Sequence, residues 1–201
     1  NDKISVSVAE KADIFVQIID NPLFYGYACN KLFRKELINN FRFDESLLSC
    51  EDIDFCVKVA SSCKKAAHSP EKLYHYRHHA FSMTGDFSYN PIKLSVLKAY
   101  ENIMPYYEKH CPLKLGVIAK NYLKIVLNIK GRILLNSIDV PDVLCGLNSI
   151  ITEYYPKVLK DKSIKRSTKI NIFITNKFPA KLLFLKQKIL KFKNWSKKKK
   201  K

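Results

Sequence analysis

Two adjacent carboxylates, Glu51 and Asp52, stand just ahead of the apolar residues Ile53, Phe55, Cys56, Val57, Val59 and Ala60. That spacing reads as a helix with acids in its first turn, where the helix dipole and free backbone N–H groups favour the ionised form. A carboxylate fixed at a helix terminus can work as a general base. The plain alternative is structural. Ser49-x-x-Asp52 has the form of a capping box, and such acids stabilise a helix start without catalysing anything.

Three histidines, His75, His78 and His79, fall within Tyr74-His75-Tyr76-Arg77-His78-His79. On a strand, His75 and His79 would share one face and His78 would take the other. Without placed carboxylate or thiolate partners they favour a solvated or stacked role over a metal site. Arg77 beside Tyr76 suits an anion such as a diphosphate, since guanidinium binds phosphate through two parallel hydrogen bonds. An ion pair within the fold would use the same residue. Asn30 and Lys31, with Arg34 close behind, form a third polar group that could face an anionic ligand or line a solvated loop.

Near the end of the chain, Leu182, Leu185, Ile189 and Phe192 recur at helical spacing, with Lys181, Lys188 and Lys191 away from them. Lys186 and Lys193 interrupt the apolar arc, which snorkelling at a lipid interface tolerates. Trp195 and the lysines 197–201 suit an anionic headgroup layer. A solvated tail and a nucleic-acid contact are the other readings. The second is disfavoured, because no aromatic-interleaved platform is present.

The elements that must position these residues follow from periodicity. Apolar residues spaced through 4–19 predict an amphipathic helix that stops at Asn21-Pro22. Residues 24–29 predict a short strand, 31–38 a helical turn and 41–43 a second extended piece. Residues 65–68 and 72–78 predict two strands about Ser69-Pro70-Glu71. Helices are predicted at 91–107, 113–135, 141–155 and 180–195, with Pro105, Pro112 and Pro156 punctuating them. The β-branched run 169–178 is ambiguous between strand and helix. A doubly wound domain needs more βα units than this, and the chain does not open with Met, so a longer parent protein is expected.

Composition limits the function classes. The chain has 201 residues and a net charge of +18, and by count residues 157–201 carry 17 basic side chains against one acid, Asp161. A near-neutral body with a basic tail remains, which argues against a histone-like chain. The 47% hydrophobic and 12% aromatic content can fill a core, so disorder throughout is excluded. No run of eighteen apolar residues and no apolar leader segment occurs. The six cysteines form no CxxC pair, which points to scattered thiols in a reducing compartment.

Three blocks, in order, resemble family 2 glycosyltransferases. Cys29-Asn30-Lys31-Leu32-Phe33-Arg34 is similar to that family's (Trp)-Asn-Lys-Leu-aromatic-Arg stretch. Phe43-Asp44-Glu45 followed by Glu51-Asp52-Ile53-Asp54-Phe55 is similar to its Glu-Asp motif. Leu73-Tyr74-His75-Tyr76-Arg77 with Ser82-Met83-Thr84 is similar to its Tyr-x-Tyr-Arg…Ser-x-Thr stretch. The resemblance spans about residues 25–84. Cys29 stands where the family often has Trp.

The resemblance implies an α/β fold, part of a Rossmann-like (GT-A) nucleotide-diphospho-sugar transferase domain followed by a mainly helical region. It implies three parts: 1–88 as the C-terminal half of the catalytic domain, 89–160 as a helical extension and 161–201 as the basic tail. Asp52 would be the catalytic base of an inverting transfer, with Glu51 positioning the acceptor or the loop. Asn30, Lys31, Arg34, His75, Tyr76 and Arg77 would bind donor or acceptor. A UDP-sugar donor, a glycan or lipid-linked acceptor and an anionic membrane on the cytoplasmic face are the implied partners, in cell-surface polysaccharide biosynthesis. Leu182, Leu185, Ile189, Phe192 and Trp195 would touch that membrane. The complete enzyme would use Mn2+ or Mg2+, held by an Asp-x-Asp motif that this chain lacks; Asp52-Ile53-Asp54 belongs to the helix. The chain alone is therefore expected to be inactive. The competing expectation is a non-catalytic remnant or accessory module that docks through its tail.

Overall fold

The computed structural model describes residues 6–21, 25–77, 91–182 and 184–185. Among them the chain is mostly helical, with one two-stranded sheet. It divides into two compact units, residues 1–118 and 119–201.

The first unit opens with β1 (Ser7–Glu10) and α1 (Lys11–Asp20), where one helix was predicted over 4–19. In β1 only Ala9 is buried, the alternation of a strand. In α1 the buried face is Ile14, Phe15, Ile18 and Ile19. Of the helical face expected at Val8, Ala9, Ala12, Phe15, Val16 and Ile19, Phe15 and Ile19 are buried on α1, Val8 and Ala9 lie in the strand, and Ala12 is exposed.

That partner is β2 (Lys65–His68), antiparallel to β1, with Glu10 opposite Lys65 and their side chains paired at 3.1 Å. The predicted hairpin between 65–68 and 72–78 does not form. Residues 72–77 are irregular and exposed, and His78 lies outside the described residues. A strand at least 55 residues distant by sequence (Glu10 to Lys65) competes successfully because it brings the α1 apolar face onto the same core.

Between the strands lie a 3-10 turn at Ala28–Asn30, α2 (Lys35–Ile38) and α3 (Glu51–Ala60). The 3-10 turn replaces the strand predicted over 24–29, and Phe24 lies outside the described residues. The helical turn predicted over 31–38 narrows to α2. A 3-10 turn at Pro91–Leu94 leads into α4 (Ser95–His110). Helices α1, α3 and α4 pack on one another around Phe15, Val57, Val59, Ala99, Ile103 and Tyr107. The Tyr107 hydroxyl donates to the Phe15 carbonyl at 2.9 Å, and the two rings meet edge to face.

A 3-10 turn at Pro112–Lys114 precedes α5 (Leu115–Leu135), which crosses into the second unit; α6 (Pro141–Lys160) and α7 (Arg166–Lys177) follow. Helix α4 contains Pro105, as its predicted range did, and α6 runs through Pro156 instead of stopping before it. An interior proline costs about 3 kcal/mol. Tyr107 beyond Pro105 and Val158 beyond Pro156 are fully buried, and that apolar burial offsets the cost. Tyr122 of α5 meets Tyr154 of α6 edge to face, and Lys130 of α5 donates to Asn148 of α6 at 2.8 Å and Asn176 of α7 at 3.1 Å.

The ambiguous run 169–178 is helical as α7, and residues 179–182 and 184–185 are helical beyond it. The rest of the helix predicted over 180–195 lies outside the described residues. No helix among the described residues is long and apolar enough to cross a membrane.

Candidate functional site

Glycine at position 26 determines how the first two sequence blocks meet. Its N–H donates to the Ile18 carbonyl of α1 at 3.1 Å. A Cβ there would lie 2.7 Å from Ile53 Cγ1 and 3.0 Å from the Ile53 backbone of α3. Only a residue without a side chain lets the 25–31 segment sit this tightly between the end of α1 and the start of α3.

The segment is then closed on itself by Lys31. Its ammonium donates to the Tyr25 carbonyl, to the Tyr27 carbonyl at 2.7 Å and to Asn30 Oδ1 at 3.0 Å. Lys31 is thus a clamp on the loop, and Asn30 is one of its acceptors. Burial pushes the Lys31 amine below its usual range, against the opposing pull of Cys56, Cys29 and Asp52.

The loop presents its backbone to Asp52, whose carboxylate accepts the Ala28 N–H. The capping-box expectation fails here. The N-cap of α3 is Cys50, without a side-chain cap hydrogen bond, and Asp52 reaches across to the facing loop instead of back along its own helix. Burial raises the Asp52 carboxyl above the usual carboxylate range. The Glu51 charge adds to the rise, while the Ala28 N–H and Lys31 oppose it. The result is a half-buried carboxylate that holds a proton more readily than a surface aspartate, as a general base requires.

Cys50 holds the backbone at φ 67°, in the left-handed region. A non-glycine residue there stores roughly 1 kcal/mol of strain, directly before the acidic pair. The loop ahead of it is tied down by α4. Asn102 donates to Asp44 at 3.1 Å, Lys98 to the Ser46 hydroxyl at 2.7 Å, and the Ser95 hydroxyl to the Ser49 carbonyl at 3.1 Å. The Ser46 hydroxyl and N–H, both donating to Asp44, hold its carboxyl below the usual range.

The third sequence block supplies tyrosines. The Tyr74 hydroxyl shares a hydrogen bond with the Cys29 thiol, which raises its pKa, and Asp52 is near enough to add to the rise. Tyr25 and Tyr27 stack at 5.5 Å, and Tyr76 is close enough to Tyr27 to perturb it. Burial is the main cause of the upward shift at Tyr27. All four rings are exposed, so an acidic centre is rimmed by aromatic faces. Tyr25, Tyr27 and Tyr74 were missed as site residues. Their signal in the sequence was the pair of Tyr-x-Tyr stretches, 25–27 and 74–76.

The other predicted site residues are less closely joined. Arg34 caps the short α2 and is exposed, as are His75 and Arg77. The strand predicted for His75 is irregular chain, and His79 lies outside the described residues. Glu51 is half-buried beside Asp52. In the second unit Leu182 is half-buried and Leu185 exposed, while Ile189, Phe192 and Trp195 lie outside the described residues.

The described residues do not fit a metal. No group of three His, Cys, Asp or Glu among the described residues could hold one. Asp54, the second acid of Asp52-Ile53-Asp54, is fully buried and paired with Lys58 at 2.6 Å. No family model, no curated protein and no solved structure matches the chain.

Proposed function

We propose that the chain is the acceptor-side part of a sugar-nucleotide-dependent glycosyltransferase of the family 2 kind, and that its complete catalytic domain has the GT-A fold. The observation that carries this reading is the meeting of the first two blocks at one carboxylate, Asp52, through the Ala28 N–H and the Lys31 clamp. Residues of the third block, Tyr74 and Tyr76, lie at the same place.

In the proposed reaction Asp52 takes the proton of an acceptor hydroxyl as that oxygen attacks the anomeric carbon of the donor. The new glycosidic C–O bond forms as the bond to the diphosphate breaks, so the nucleoside diphosphate leaves and the configuration inverts. The raised Asp52 pKa improves its competence as a base, and the fixed Ala28 N–H holds the carboxylate in place. Glu51 orients the acceptor or supports Asp52. Lys31 acts through the loop it closes, so it is a positioning residue. Arg34, Arg77 and His75, all exposed, are the groups that could meet donor phosphate. The tyrosine faces offer stacking surfaces to a sugar ring or a base. The Mn2+ or Mg2+ of a complete enzyme would be held by residues other than these. The basic tail would rest on the cytoplasmic face of a membrane, near lipid-linked acceptors.

The second reading is a non-catalytic module that docks through its C-terminal part. It is favoured by one observation, the concentration of positive charge beyond residue 156. The two readings separate in the full-length protein. Asp52→Asn should lower transfer by about 10²–10⁴-fold, the usual contribution of a positioned base, with the protein still folded. Full transfer by that variant would defeat the base assignment.

A further inference from the structure

The helix α7 turns apolar side chains outward. Its inner side is fixed: Ile172 is only 3% exposed, Asn176 accepts from Lys130, and Lys169 donates to the Leu159 carbonyl at 2.8 Å. On the opposite side Ile170, Phe173 and Ile174 are 50%, 48% and 42% exposed, and Phe178 follows at the C-cap, exposed as well. Positions 170, 173, 174 and 177 share one face at 3.6 residues per turn. Arg166 at the first turn and Lys177 at the last bracket that face with positive charge. Lys177 also lies 5.9 Å over the Phe173 ring.

A helix that hides its polar contacts and exposes its phenylalanine and isoleucines needs an apolar partner. The charge around it identifies the partner. From Lys162 to Lys201 the sequence contains no acidic residue. Nucleic acid would satisfy the charge but gives no continuous apolar layer beneath the phosphates, and an acidic protein would need an apolar groove shaped to this one helix. A bilayer containing anionic lipids gives both: headgroups for Arg166 and Lys177, acyl chains for Ile170, Phe173 and Ile174.

We propose that the outward face of α7 is an interfacial surface that lies in the headgroup layer of an anionic membrane. It places part of the membrane contact on a folded helix, apart from the tail residues 182–195. It stands or falls without the transfer chemistry, because lipid binding is read without turnover.

The test uses the full chain with its single Trp moved, as Trp195→Phe with Phe173→Trp, so that fluorescence reports from α7 alone. Vesicles of phosphatidylcholine mixed with phosphatidylglycerol should shift the emission to the blue, and brominated lipids should quench it; pure phosphatidylcholine should do neither. A reporter that stays unshifted while the chain floats with the vesicles would overturn the proposal, leaving the contact to the tail. In the otherwise native chain, F173S/I174S should weaken flotation with the mixed vesicles by about tenfold or more, since it removes two side chains from the buried face. Unchanged flotation would overturn it too. So would a blue shift produced by single-stranded RNA, or by raising the protein concentration, with none from vesicles.

Discussion

At Cys50 and Asp52 the backbone and the electrostatics both depart from what an ordinary helix start requires. Cys50 occupies the left-handed region at φ 67°. Asn tolerates that region and a β-branched residue does not. Cys50→Val should therefore be less stable than Cys50→Asn by about 1–2 kcal/mol, as read from denaturant midpoints. Asp52 carries a folded pKa above its unfolded value, from burial and the Glu51 charge. Its contribution to stability is therefore full below the unfolded pKa and lost as pH rises through the folded one. At neutral pH the ionised carboxylate is a net liability. Asp52→Asn keeps an oxygen for the Ala28 N–H and should raise the melting temperature at pH 7 while leaving it nearly unchanged at low pH. A melting temperature lowered at pH 7 would show that the carboxylate stabilises the fold, as a cap would. Activity should fall off on the acid side at a higher pH than an ordinary aspartate would set.

At the scale of elements, the packing of Gly26 against Ile53 places the loop before α3. Gly26→Ala brings a Cβ to 3.0 Å from the Ile53 backbone, which cannot rotate away. The loop must then move off α3, at a cost of about 1–3 kcal/mol. A drop of that size in the unfolding free energy, with transfer reduced beyond the loss of folded protein, is the expected outcome. Removing the Tyr107 hydroxyl tests the same core from the other side. Tyr107→Phe gives up a buried hydrogen bond from α4 to α1 and should cost about 1–2 kcal/mol.

The sequence was legible where one helix carries its own signal. Helix α3, with its acids and apolar face, appears within the predicted bounds, and α4, α5 and α6 where their periodicity placed them. It was not legible where pairing partners are distant. The apolar residues Val8 and Ala9 fit a helix as well as a strand until β2 is known to lie beside them. Pro112 and Pro141 lie at helix boundaries as expected, whereas Pro156 misled because tertiary burial of Val158 outweighs a local penalty. At the site, Asp52 and Lys31 were singled out by type and spacing. The clamp role of Lys31 and the tyrosine rim depend on loop geometry that no spacing encodes.

At the scale of the whole molecule, charge is distributed unevenly along the chain. The body is nearly neutral, while residues 157–201 hold a net charge of +16. Binding of the full chain to anionic vesicles should therefore weaken as salt rises, since the Debye length shrinks to about 10 Å at 0.1 M. It should not vanish entirely, because the apolar face of α7 is indifferent to screening. The carboxylate in the first unit and the basic, apolar surface in the second are separate features of the chain.

The central claim, that Asp52 is the base of a sugar transfer, is most directly tested in the source cell. Asp52→Asn would be introduced into the gene and the surface glycans profiled by mass spectrometry beside those of the parent and of a strain lacking the gene. The account predicts that the variant, at normal protein abundance, shows the same missing sugar as the deletion. Glycans identical to the parent's in the variant, with a sugar missing in the deletion, would contradict the role of Asp52. Glycans unchanged in both would contradict the transferase itself.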